Sequence, residues 1–134
     1  MTEYPNALAY LYGLEKFGMV FGLENVQWIL TIIGNPHKFL KTVHIGGTNG
    51  KGSVAAMLSH ILKAAGYRVG KYTSPHLVSF TERITINEER ITERDVADLV
   101  VSIRQRTESV DPRRTFTFFD FTTTLAFEYF RRSN

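Results

Sequence analysis

A lysine stands among four glycines in the stretch Gly46-Gly47-Thr48-Asn49-Gly50-Lys51-Gly52, and Ser53 follows it. Glycines let backbone N–H groups turn inward and approach an anion closely. Lys51 adds a full positive charge, and a Ser or Thr hydroxyl beside it can reach Mg²⁺. An apolar, strand-like run at residues 42–45 leads in. A helical pattern (Val54, Leu58, Ile61, Leu62, Ala65) leads out, so a helix N-terminus adds partial positive charge. This is chemistry for holding the phosphates of a nucleotide. The stretch departs from the standard phosphate loop, because Ile45 stands where that pattern has its first glycine. Gly52 directly follows the lysine, which moves the hydroxyl to Ser53. A glycine-rich turn without a ligand is the alternative.

Other chemistry-bearing residues follow. Thr73-Ser74-Pro75-His76 turns the chain at the end of a second strand-like run, residues 68–72. In open α/β sheets that edge is where ligands bind. Ser74 can serve a ligand or simply start the turn before Pro75. Asp120 can be a hard oxygen ligand for a metal or the cap of a helix. His44 reads as structural, and Trp28 and Tyr4 read as packing residues.

The elements that position these groups are legible in the apolar spacing. Residues 4–17 read as an amphipathic helix through Leu8, Leu11, Tyr12 and Leu14, broken by Gly18 and Gly22. Residues 24–33 read as a second helix, stopped by Gly34-Asn35-Pro36. The glycine turn and a helix over 53–65 come next, with Gly66 as its C-terminal stop. A helix between two strands predicts a right-handed parallel crossover. Residues 83–92 alternate around Asn87-Glu88 and predict a small hairpin. Thr92 and Asp95 stand where a cap precedes a helix with the stripe Val96, Leu99, Val100, Ile103. Residues 116–130 are the most apolar segment, helical from about Asp120.

The 134 residues are 43% hydrophobic and 22% charged, as expected of a soluble globular chain. There are no cysteines, so disulfides and thiolate metal sites are excluded. No apolar run reaches membrane-spanning length, and the start lacks signal-peptide character. A cytoplasmic protein is expected. The net charge of +3 is not gathered into a dense basic run, so no nucleic-acid or membrane partner is expected. Only two core strands are apparent, whereas doubly wound nucleotide domains have more. The expectation is an α/β, P-loop-type nucleotide-binding domain with a mostly parallel sheet, truncated, and preceded by two N-terminal helices. Residues 116–130, apolar on several faces, are expected to lie uncovered and to drive self-association of the fragment.

Taken in order, Gly47-Thr48-Asn49-Gly50-Lys51-Gly52-Ser53, Thr73-Ser74-Pro75-His76-Leu77, Glu82-Arg83-Ile84 and Thr117-Phe118-Phe119-Asp120 form a specific set. The set resembles the dihydrofolate synthase/folylpolyglutamate synthase family, relatives of the Mur peptide ligases. The resemblance runs from about Gly22 to Phe130, and Gly52 favours the folate branch over the Mur branch. It implies an ATP-dependent ligation of L-glutamate to dihydropteroate or folate through an acyl phosphate. It implies that Gly47, Thr48, Asn49, Gly50, Lys51, Gly52 and Ser53 hold the ATP phosphates, with Lys51 the catalytic cation. It further implies Ser74 and Asp120 as Mg²⁺ ligands, one metal shared between them. Asp120 stands where the family more often has Glu. The segment from His76 to Arg83 matches a mobile loop on the folate side. By the same resemblance residues 1–134 are the front portion of the ATP-binding domain, inactive alone, and the full-length enzyme is a monomer. A Mur-type ligase and a non-catalytic nucleotide-binding module are the alternatives.

Overall fold

The computed structural model describes residues 3–133. Five helices and three short strands make up its regular structure: α1 Glu3–Gly13, α2 Glu24–Ile32, α3 Lys51–Ala64, β1 Gly70–Tyr72, β2 Ile84–Ile86, β3 Glu89–Arg90, α4 Glu93–Val110 and α5 Phe118–Arg132. Single turns of 3₁₀ helix occupy Leu14–Phe17, Pro36–Phe39 and Phe80–Arg83. The chain divides into two compact units. One comprises the residues up to Leu40 together with Glu93–Ser133, and the other is Lys41–Thr92. Among the described residues no helix is long and apolar enough to cross a membrane.

The first unit is helical. The α4 stripe read from the sequence is its spine, with Val96, Leu99, Val100 and Ile103 all buried. Spacing of three and four residues puts these side chains on one face. They pack with Leu11 of α1, Ile29 of α2 and Phe121 and Leu125 of α5, all fully buried. Tyr10 meets Phe121 edge-on at 5.2 Å. The α5 segment is therefore not uncovered, as its composition had suggested. Helices α1, α2 and α4 lie against it, and among the described residues of α5 only Phe119 keeps a large apolar side chain in solvent, 61% exposed. The stated basis for self-association through α5 is thus removed. At the C-terminal end of α5, Glu128 is buried and accepts hydrogen bonds from Arg131 (2.8 and 3.1 Å) and Arg132 (2.7 Å).

The second unit differs from the expectation. Its sheet runs in the order β1-β2-β3 and is antiparallel throughout, with Lys71 opposite Thr85 and Ile86 opposite Glu89. The hairpin around Asn87-Glu88 is present, and both residues have positive φ (47° and 72°), as a tight two-residue turn requires. Asn87 also exchanges two 2.8 Å hydrogen bonds with the backbone of Val69, which aligns β1 beside the hairpin. Residues 42–45 form no ladder among the described residues, so the parallel crossover is not found. A strand exists only through its neighbours' hydrogen bonds, and an apolar alternation cannot reveal whether a neighbour is available. The apolar side of α3 is likewise uncovered: Val54, Met57 and Ile61 are 46%, 59% and 64% exposed.

Candidate functional site

The glycine turn runs directly into α3, whose first helical residue is Lys51 rather than Ser53. Two glycines are demanded by backbone conformation. Gly47 has φ 145° and Gly50, the residue capping the helix, has φ 77°. Side-chain-bearing residues rarely adopt these values. Gly52 is different. It lies in the first turn with ordinary helical φ, and a Cβ placed there would meet no atom within 4 Å. A glycine inside a helix costs about 1 kcal/mol relative to alanine. Neither backbone conformation nor crowding within the chain explains it, whereas close approach of an external group would.

The start of α3 is open. No side chain caps it, and the first intrahelical bond is Val54 N–H to the Gly50 carbonyl at 3.0 Å. The N–H groups of Lys51, Gly52 and Ser53 thus precede the helix's own bonding pattern. By contrast, α5 is capped by Thr117. The Lys51 ammonium folds back across the turn and donates to the Gly47 carbonyl at 2.5 Å. Thr48, Asn49, Gly50, Lys51, Gly52 and Ser53 are all exposed. Charge is also unevenly placed. The unit carrying the turn has seven Lys and Arg against three carboxylates, whereas the helical unit has nine against ten.

Ser74 lies in the same unit as the glycine turn, exposed, in the segment just after β1. His76 and Arg83 are brought together, with Arg83 Nε donating to His76 Nδ1 at 2.7 Å. The ring of Phe80 stands beside both, 6.3 Å from the His76 ring and 5.9 Å from the Arg83 guanidinium. Glu82 was not among the candidates, yet its carboxylate accepts from three successive backbone N–H groups, those of Leu77 (3.0 Å), Val78 (2.9 Å) and Ser79 (2.6 Å). These bonds favour the ionised form and hold its pKa down at about 2. The spacing Ser79-x-x-Glu82 is that of a capping box and was the signal available in the sequence.

Asp120 lies in the helical unit, at the third position of α5. Its Oδ2 accepts from the Thr117 N–H at 3.0 Å, and its own N–H donates to Thr117 Oγ1 at 3.0 Å. Asn25 Nδ2 reaches the same carboxylate oxygen at 3.4 Å, and Asn25 Oδ1 accepts two bonds from Arg114 (3.0 and 3.2 Å). Of the two readings of Asp120, the structure supplies the partners for the cap. Among the described residues no group of three or more His, Cys, Asp or Glu is placed to hold a metal by itself. A Mg²⁺ taking one or two protein oxygens along with phosphate oxygens and water needs no such group, so a hydroxyl such as that of Ser74 fits its habits.

No protein-family model matches the chain. Individual proteins do. The chain is 36% identical over 131 residues to the dihydrofolate synthase/folylpolyglutamate synthase of Bacillus subtilis, covering 96% of this chain and 30% of that protein. It superposes on the crystal structure of folylpolyglutamate synthase from Thermotoga maritima with a TM-score of 0.89 at 46% identity, over 98% of this chain and 31% of the other. A solved FPGS–AMPPCP–folate complex matches with a TM-score of 0.85 at 33% identity, over 97% of this chain and 32% of that one. The matched class is one of α/β synthases of folate compounds. The family is dihydrofolate synthase/folylpolyglutamate synthase, which this chain resembles along nearly its whole length while spanning about 30% of the length of its members.

Proposed function

We propose that this chain supplies the ATP-phosphate site of a ligase that joins L-glutamate to dihydropteroate, tetrahydrofolate or both. In that reaction the γ-phosphoryl group of ATP passes to a carboxylate of the acceptor, giving an acyl phosphate and ADP. The glutamate amine then attacks the acyl carbon, and phosphate leaves as the amide forms. Such chemistry asks the protein to position the partners and neutralise phosphate charge. Residues 47–53 are proposed to wrap the phosphates, with Lys51 releasing the Gly47 carbonyl to face the β- and γ-phosphates. Ser74 is proposed as a Mg²⁺ ligand, and Asp120 as another through the carboxylate oxygen its cap leaves over. When bound, Mg²⁺ would offset charge on the transferred phosphoryl group. His76 and Arg83 are proposed for the folate side. Residues 1–134 are then the front portion of the ATP-binding domain of a cytoplasmic enzyme, monomeric at full length.

One observation carries the proposal: Gly52 at the uncapped start of α3, a glycine with no reason inside the chain, next to a lysine bent over the turn. The solved relative holding AMPPCP, an ATP analogue, together with folate supports it. The test is calorimetric titration of the chain with Mg-ATP. Lys51→Ala removes a charge-assisted contact worth about 1.5–3 kcal/mol, an affinity loss of roughly ten- to a hundredfold. Equal affinity in the variant would overturn the assignment.

A further inference from the structure

The backbone between β1 and β2 looks like an exposed loop, yet it is stitched at both ends to Glu82 and Arg83. The Thr73 N–H donates to the Arg83 carbonyl at 2.9 Å. The Arg83 side chain holds His76 at 2.7 Å. The Glu82 carboxylate then gathers the N–H groups of Leu77, Val78 and Ser79, and the Ser79 hydroxyl accepts from the Thr81 N–H at 3.3 Å. Ser74 and Pro75 are thus the two residues spanning fixed points at Thr73 and His76. Leu77 and Val78 remain 92% and 91% exposed, so burial of their side chains does not hold this backbone. The carboxylate does. Shape at residues 77–79 is set by hydrogen bonds to the Glu82 carboxylate, and at Thr73 and His76 by hydrogen bonds to Arg83, rather than by packing of the Leu77 and Val78 side chains.

We propose that Glu82 is a positioning residue for the metal–nucleotide site. By fixing residues 77–79 it holds the Ser74 hydroxyl where it can meet a Mg²⁺ carried by bound nucleotide. This rests on the nucleotide reading above. Glu82 touches neither nucleotide nor metal and acts only through Ser74. Glutamine in its place keeps the length but turns one of the two accepting oxygens into a donor, which opposes at least one of the three N–H groups. Aspartate keeps the charge but falls one methylene short.

The experiment uses this chain with ATP as the probe, titrated with and without Mg²⁺, in the wild type, Glu82→Gln, Glu82→Asp, Ser74→Ala and the Glu82→Gln/Ser74→Ala double variant. Amide hydrogen exchange at residues 77–79 is read in parallel. In Glu82→Gln exchange at these amides should rise about tenfold or more. The gain in ATP affinity that Mg²⁺ brings should fall about tenfold, while metal-free binding through the glycine turn stays unchanged. Glu82→Asp should resemble Glu82→Gln, because reach and not charge alone sets the clamp. In the Ser74→Ala background Glu82→Gln should have no further effect, which a general loss of stability would not produce. Equal losses with and without Mg²⁺, or additive losses in the double variant, would overturn the positioning role. A wild type that binds no ATP would instead overturn the nucleotide reading, leaving the exchange result to show a clamp of structural purpose only.

Discussion

The Lys51 ammonium donates to the carbonyl of Gly47, four residues earlier, and so closes the glycine turn on itself. The cation that would meet a phosphate already has an acceptor in the turn. A bound anion must therefore compete with a carbonyl, and it wins that competition because it adds charge–charge attraction to a hydrogen bond whose donor is already ionised.

Gly52→Ala separates folding from binding. An added methyl group meets nothing within 4 Å, and alanine suits a helix better by about 1 kcal/mol, so the thermal midpoint should rise slightly. Affinity for Mg-ATP should fall, because the methyl group intrudes where a phosphate oxygen approaches. Calorimetry with both readouts checks this. A variant that binds as well as the wild type would remove the reason offered for the glycine.

The Glu82 clamp should survive acid. Its three N–H bonds, led by that of Ser79, lower its pKa to about 2, below its unperturbed value of 4.5. A carboxylate depressed on folding contributes stability that is present above its unfolded pKa and lost as pH falls through the folded one. Protection of the Leu77, Val78 and Ser79 amides should therefore persist at pH 3.5 and vanish toward pH 2, as long as the unit stays folded. Loss of protection near pH 4.5 would show that the carboxylate is not held in this way.

Glu128 should matter to the helical unit. Burial raises its pKa, but hydrogen bonds and charge from Arg131 and Arg132 outweigh that, and the net shift is downward. Its contribution is likewise present above about pH 4.5 and lost on acidification below it. Glu128→Ala should destabilise the unit by about 1–3 kcal/mol, since two guanidinium groups lose a hydrogen-bonded partner yet still reach water. Urea unfolding at pH 7 and pH 3 measures it, and the difference between wild type and variant should shrink at pH 3.

Two substitutions probe α5. Phe121 is fully buried against Tyr10, so Phe121→Ala should cost about 3–5 kcal/mol. Thr117→Ala removes the cap acceptor for Asp120 N–H and should cost about 0.5–2 kcal/mol. Circular dichroism during denaturant titration reports both. A negligible effect of Thr117→Ala would show that the Thr117 hydroxyl carries no weight as a cap.

The sequence was most legible where a pattern is local. The α4 stripe, the stop at Gly34-Asn35-Pro36, the hairpin at Asn87-Glu88 and the run from glycine turn to helix all follow from spacing and turn chemistry, and all are present. Strand pairing was illegible, because residues 42–45 carry the alternation of a strand without specifying a neighbour. The cover over α5 was missed for a related reason. Its apolar faces meet α1 and α2, far away in sequence, and composition alone does not assign partners. At the candidate site the glycine turn and Lys51 were readable. For Glu82 the capping-box spacing with Ser79 was available, but its hold on the N–H groups of Leu77 and Val78 was not, since that depends on their backbone folding back toward it.

Trp28 is the chain's single tryptophan, and both the Phe116 ring (5.6 Å) and the Arg114 guanidinium (4.5 Å) lie against it. Its indole belongs to the helical unit, whereas the unit bearing the glycine turn has Tyr67, Tyr72 and Phe80 but no tryptophan. Red-edge emission is therefore a private optical channel for one half of the molecule. Melting followed at the indole, set against amide exchange in residues 41–92, reports whether the two halves unfold in one transition or in two.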